Sequence, residues 1–335
     1  MPGSPTLASA SRTPGLRWRW SEAARGACTG LPAAIAAVWN VQLAAALAVG
    51  LIPVCAVPLA PHRRARVRSA LFGILAAASI LLGGIVAQWP IVAVVAMAGA
   101  GGLLGRVLAS RPLPAAMVGL TLCLPLLAVG FSYPGVDTVA PLAGDIVLGT
   151  VWSTLVALAW AEHEAPPTGP QPSVPPDLMR AYGWVVGLVG AACAAIGFAA
   201  DLEHVGWAPT AALLVMRPVP PQQRLRSVGR LADVVLGAAA AVLLVLASPA
   251  AWVYGVAIGL VVTAATATAG SRWYVLPTFT TYLVFVMLLA HDPTSARSRF
   301  WERVAETGVG VGVAALAAFV VLPALRSGGV PWRRR

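Results

Sequence analysis

The chain has 335 residues, of which 59% are apolar and 10% charged, against roughly 45–50% and about 25% in ordinary soluble domains. A soluble globular enzyme this apolar could not cover its surface, a disordered chain would be poor in apolar residues, and a single anchor would confine them to one run. The formal net charge is +11 and every one of the 23 cations is arginine, a balance that suggests nucleic acid only in a soluble protein.

Residues 1–25 are polar and rich in Pro and Ser, with no signal-peptide pattern, and are expected to be a cytoplasmic tail. Apolar runs follow at 26–39, 42–60, 69–88, 90–109, 113–131, 140–160, 183–200, 205–217, 231–248, 251–269, 273–290 and 303–325. At about 20 residues per span, they predict an all-α polytopic bundle of twelve transmembrane helices. The loops left over are too short for a soluble catalytic domain. A Pro-rich stretch at 161–182 reads as a semi-rigid linker between six spans at 26–160 and six at 183–325, and a basic tail closes the chain at 326–335.

The arginines support this count. With the N-terminus inside, the inner segments hold twenty of them, and the outer loops hold only Arg297, Arg299 and Arg303. Asp137, Asp201, Glu203, Asp292 and Glu302 fall outside. This is the positive-inside pattern of a plasma-membrane protein with both termini cytoplasmic, its expected partner the lipid bilayer and not nucleic acid.

A shift of about 160 residues places Pro58 on Pro218, Pro61 on Pro221, Arg64 on Arg224 and Arg66 on Arg226. Asp145 then falls one position from Glu306. The expectation is an internal repeat. An even number of spans per half would make the repeats parallel, with a pathway at their interface.

The stretch HVGWAPTAALLVMRPVPPQQRLRSVGRLADVVLGAAAAVL and the later RFWERVAETGVGVGVAALAAFVVLP resemble the fusaric acid resistance protein-like (FUSC) family. Arg226, Arg230, Gly237, Arg303, Glu306, Thr307 and Pro323 carry the match. The resemblance covers 183–325 and implies a proton-linked or channel-like exporter of organic anions, notably aromatic carboxylates, akin to aluminium-activated malate channels. Asp233 stands where the family often has Gly-Thr, and many larger relatives carry a sizeable soluble domain between or after the membrane halves, where this chain has a short linker.

Arg226, Arg230 and Asp233 share one helix face at spacings i, i+4 and i+7. Charges inside a bilayer cost about 2.5–3.5 kcal/mol each on insertion scales and need a partner or a wet cavity. They are therefore candidates for an anion pathway, with Asp233 orienting Arg230 or taking a proton. Arg303, Glu306 and Asp145 are candidates for coupling or gating near the outer mouth. Trp207 is a candidate for stacking on a substrate ring. Pro53, Pro58, Pro209 and Pro218 are candidate helix breaks in the second span of each half, the position where broken helices mark transporter binding sites.

Gly101-x3-Gly105 and Gly308-x3-Gly312 suggest close helix packing. The remaining tryptophans near run ends suggest an aromatic belt. Cys28, Cys55, Cys123 and Cys193 lie in apolar runs without CxxC spacing and are expected to be packed core residues. No metal, cofactor or catalytic motif is found, so the chain is not expected to be an enzyme. The expected ligand is a small organic anion, and a homo-oligomer or an accessory envelope protein is the expected protein partner. The rival expectation is a non-transporting scaffold of cell-envelope machinery.

Overall fold

The computed structural model describes residues 16–55, 59–110, 119–162, 176–217, 220–269, 271, 275–290 and 292–321. Among them are twelve α-helices and no strand. In lipid, a helix pairs its own backbone groups without needing neighbours, which is why so apolar a chain folds this way.

The first six are α1 (Trp20–Ala36), α2 (Val41–Cys55), α3 (Arg63–Ala87), α4 (Pro90–Ser110), α5 (Leu124–Gly130) and α6 (Val136–Ala159). The second six are α7 (Pro176–Ala199), α8 (Trp207–Val215), α9 (Pro220–Leu246), α10 (Ala251–Ala267), α11 (Val275–Leu289) and α12 (Ala296–Leu316). A π-helical turn at Gly119–Cys123 leads into α5, and another at Ala317–Val321 ends α12.

Twelve full spans were expected, and this is refined. Five helices are long and apolar enough to cross a membrane: α3, α4, α6, α7 and, over Leu225–Leu246, α9. At 1.5 Å per residue the nine residues of α8 reach roughly 14 Å, about half of a hydrocarbon core of ~30 Å. Helices α2 and α11 have 15 residues each and fall short as well. Two boundaries also move: α1 starts at Trp20 and α7 at Pro176, the latter within the stretch read as linker.

Small residues are prominent inside: Ala33, Ala44, Ala76, Ala93, Ala211 and Ala241 are fully buried, beside larger groups such as Phe285, Met97 and Leu283. Leu71, Ile91, Leu236 and Leu243 point outward. Small inner residues let backbones close in, which is how helices associate where lipid removes the hydrophobic drive. The crossing of α4 and α7 shows this: a Cβ on Gly101 would collide with Gly187 Cα, and one on Gly183 with Gly105 Cα. The other glycine pair does not pack so. A Cβ on Gly308 or Gly312 meets nothing within 4 Å, and the close approach on α12 is instead at Gly310, against Ala208 O.

The two halves interlock. Helix α4 packs on α7 and α1 on α10. Within each half, α3 packs on α5 and α6, as α9 packs on α11 and α12; α2 packs on α6 and α8 on α12. One buried core joins α4 and α5 to α7, α8 and α12, and another joins α1 and α2 to α9, α10 and α11.

Helix ends are closed by specific groups. Arg66, 2% exposed, donates to Ala60 O, Pro61 O, Ala157 O, Trp160 O and Ala161 O at 2.7–3.2 Å. It thereby satisfies carbonyls that α6 leaves unpaired at its C-terminus. Leu43 N donates to Asn40 Oδ1 at the start of α2, 2.9 Å away.

Tryptophans at the helix ends are exposed, among them Trp20, Trp39, Trp89, Trp252 and Trp301, whereas Trp207 is 3% exposed. The cysteines divide: Cys193 is buried, Cys123 intermediate and Cys28 exposed. The expectation of a packed core residue therefore fails for Cys28, which sits on an outward face of α1.

Candidate functional site

Helix α8 begins at Trp207, and Pro209 is its third residue. Its missing N–H belongs to the first turn, where no helical acceptor exists. Pro209 therefore starts α8 and does not break it. Pro53 lies inside α2, two residues before its end at Cys55. Pro58 and Pro218 lie outside the described residues.

Between the halves lies a cavity of about 250 Å³. The short helices make most of its wall: Ala46, Val49 and Ile52 of α2, Pro125, Leu126 and Val129 of α5, Trp207, Thr210 and Leu214 of α8, and Leu276 to Met287 of α11. Ile80 of α3 and Leu142 and Ile146 of α6 complete its apolar side. Two arginines complete the other side, Arg230 of α9 and Arg303 of α12.

These arginines are 4% and 6% exposed. Arg230 Nε, Arg303 Nε and Arg303 Nη1 have no hydrogen-bond partner in the protein. Arg303 stacks its guanidinium over the ring of Trp207, 4.4 Å from the centroid, a contact worth about 0.5–2 kcal/mol. Trp207 is itself stacked on His204 at 3.9 Å and faces Phe285 at 6.1 Å. Buried cations with free donor atoms cost several kcal/mol unless something negative meets them.

The acids do not neutralise them directly. Asp233 accepts from Thr278 Oγ1 at 3.0 Å through Oδ1, and its Oδ2 is buried without a partner. No ion pair within 4 Å joins Asp233 to Arg230, so the expected orientation of Arg230 by Asp233 is not made. Glu306 is 4% exposed, and both of its carboxylate oxygens lack partners.

The structure redistributes the other candidates. Arg226 is half-buried, is not among the residues that line the cavity, and has Arg217 and Tyr182 as electrostatic neighbours. Arg303, expected at the outer mouth, faces the cavity instead. Asp145 does lie at a mouth, in a wider vestibule of about 470 Å³. Loops between α1 and α2, α5 and α6, α7 and α8, and α11 and α12 form that end.

A polar knot sits there. Arg299 pairs with Glu203 and lies 3.4 Å from Glu302 Oε2. His204 Nδ1 is 3.2 Å from both Glu302 Oε1 and Arg299 Nη1. The hydrogen bond from Arg299 holds the Glu203 carboxyl below its usual range, and burial pushes the His204 imidazole below its ordinary value. Glu203, His204 and Glu302 bring three metal-ligand atoms within 4.8 Å. Arg299 reaches the same atoms and supplies the positive charge, so the donor set does not suit a metal.

Sequence reasoning missed Tyr133, Leu142 and Thr281 as cavity residues and His204 as the support under Trp207. None carries a motif; only packing across the halves brings them in. Compared with known protein families, residues 179–317 match the family described as fusaric acid resistance protein-like. This match runs from α7 through α12 and contains Trp207, Arg230 and Arg303. The second half of the chain is thus similar to the fusaric acid resistance protein-like family. No curated protein and no solved structure matches the chain. With this similarity and five helices long and apolar enough to cross a membrane among the described residues, the chain reads as a multi-pass helical membrane protein.

Proposed function

We propose that this fusaric acid resistance protein-like chain moves small organic anions out across the bacterial plasma membrane, through the cavity between its halves. The carrying observation is the pair of buried arginines with unpartnered donors at one wall of a cavity whose other wall is apolar. Its volume, about 250 Å³, lies just under the range of small-molecule sites, roughly 300–1,000 Å³. A carboxylate would sit on Arg230 and Arg303, and an aromatic ring would lie against Trp207, Leu142 and Ile146. Arg226 would act on approach from the arginine-rich end, and Asp233, Glu306 and Asp145 would take protons or gate.

The two halves serve as parallel repeats in this reading. The matching pairs α4 with α7 and α1 with α10, and α2 with α6 and α8 with α12, support it. So does the place of the short helices α2 and α8, α5 and α11, which occupy equal positions in the two halves and line the cavity. Both termini are cytoplasmic, which puts the vestibule outside. An inside-negative potential then drives a monovalent anion outward by about 2.3 kcal/mol per 100 mV, and no ATP is needed.

The test is efflux of labelled benzoate from proteoliposomes that hold only this protein, with potential and pH gradient set separately. Efflux that follows the potential alone means a channel, and efflux that also needs the pH gradient means a proton-linked carrier. No efflux of benzoate or malate under either gradient would contradict the proposal and favour a scaffold.

A further inference from the structure

The central cavity and the vestibule share wall residues. Ala46 of α2, Tyr133 of the α5–α6 loop, Leu142 of α6 and Met287 of α11 line both. Two spaces with common walls abut, and those residues form the collar between them. Ala46 is small, so Tyr133, Leu142 and Met287 set its width. On the vestibule side stand Asp145, Glu203 and Asp292 with Arg299, and on the cavity side Arg230 and Arg303. Arg303 and Arg299 both act electrostatically on the Tyr133 phenol, one from each side.

The short loop that carries Tyr133 is tied at both ends of its turn. Gly135 N donates to Gly84 O of α3 at 2.9 Å. Ser132 Oγ accepts from Gly206 N at 2.9 Å, immediately before α8 and Trp207. Gly135 has φ 101°, a conformation that favours glycine and lets the chain turn sharply into α6. The turn that positions Tyr133 is thus hydrogen-bonded both to α3 and to the residue that precedes α8.

We propose that the two cavities are successive chambers of one route and that the collar is its outer gate, with Tyr133 as the side chain that sets passage. This inference rests on the transport reading above. An anion that leaves the arginine pair passes the collar into a chamber where acidic groups outnumber basic ones. The acidic groups keep a released anion from being held there, and the membrane potential sets the direction of net flow.

The test uses the full-length protein in proteoliposomes, with efflux of labelled benzoate and the bulkier 2-naphthoate, and equilibrium binding of benzoate in detergent. Tyr133→Ala is expected to raise 2-naphthoate efflux about tenfold, equivalent to ~1.4 kcal/mol off the barrier. Benzoate binding should change far less than efflux, because the carboxylate is held by Arg230 and Arg303 and neither is altered. Tyr133→Trp is expected to slow efflux of both anions, again with a much smaller change in binding. If the wild type conducts and neither variant alters efflux, or if benzoate binding falls with efflux, the collar is not the gate. If the wild type binds benzoate without conducting it, the transport reading itself fails and the gate with it.

Discussion

The two walls of the central cavity come from two halves of one chain, and they are chemically unlike. Where the second half has Arg230 and Asp233 on α9, a shift of 160 places Ala70 and Gly73 on α3. Where it has Arg303 on α12, a shift of 161 places Leu142 on α6. Leu142 and Arg303 both face the cavity. Similar helix packing thus carries buried arginines on one side and an apolar surface on the other. The lesson is that an asymmetric ligand, charged at one end and apolar at the other, is better served by two divergent halves than by two identical ones.

The comparison can be broken most strongly at the charged wall. Arg303→Ala removes charge-assisted hydrogen bonds worth about 1.5–3 kcal/mol each, which is roughly 10- to 150-fold in affinity. Benzoate binding measured by equilibrium dialysis should fall by that factor, and loss of the uncharged analogue benzyl alcohol should be slight. Exchanging the walls sharpens the point. Leu142→Arg in an Arg303→Leu background is expected to recover part of the lost affinity, since the cation still faces the same cavity. Recovery should be partial, because Leu142 lacks a Trp207 beneath it.

The apolar wall should respond more weakly and with the opposite selectivity. Truncating Ile146 to Ala removes three methyl or methylene groups, each worth about 0.8 kcal/mol when fully buried, of which the ligand would cover only part. Benzoate affinity should fall about 5-fold, a change of ~1 kcal/mol, and acetate affinity should not change. Equal losses for both anions would mean that the apolar wall shapes the protein and does not touch the ring.

The smallest expected effect is at His204, under Trp207. Its folded-state pKa is lowered, chiefly by burial, so the unfolded state takes up the proton first as pH falls. Stability is therefore full above the unfolded value near 6.5 and declines as pH drops through the lower folded value. Thermal unfolding in detergent should show this decline in the wild type between pH 7.5 and 5 and a shallower one in His204→Gln.

Much of the fold is legible in the sequence because composition and arginine placement act over the whole chain. The helical membrane class and the division into twelve helices follow from apolar runs, and the close crossing of α4 and α7 follows from Gly101 and Gly105. The short reach of α8 does not, since apolar character continues through residues 205–217 while the helix covers only Trp207–Val215. Arg230 and Trp207 stand out in the sequence because a charge or an indole in an apolar run is expensive or unusual. The depth of Arg303 does not, because it sits at the start of an apolar run and reads as a mouth residue until α12 is seen to pack on α8. Leu142 has no local signature at all; its role comes from facing Arg303 across the cavity.

In the proposed function, Arg230 and Arg303 together hold the anion that crosses the membrane. Benzoate efflux under a fixed potential, from proteoliposomes of the wild type and of the Arg230→Gln/Arg303→Gln double variant, tests it most directly, because Gln keeps polarity and approximate length while removing both charges. The account predicts efflux that saturates with benzoate in the wild type and falls at least about 100-fold in the double variant, with the variant still inserted and monodisperse. Efflux that is equal in the two proteins would contradict it.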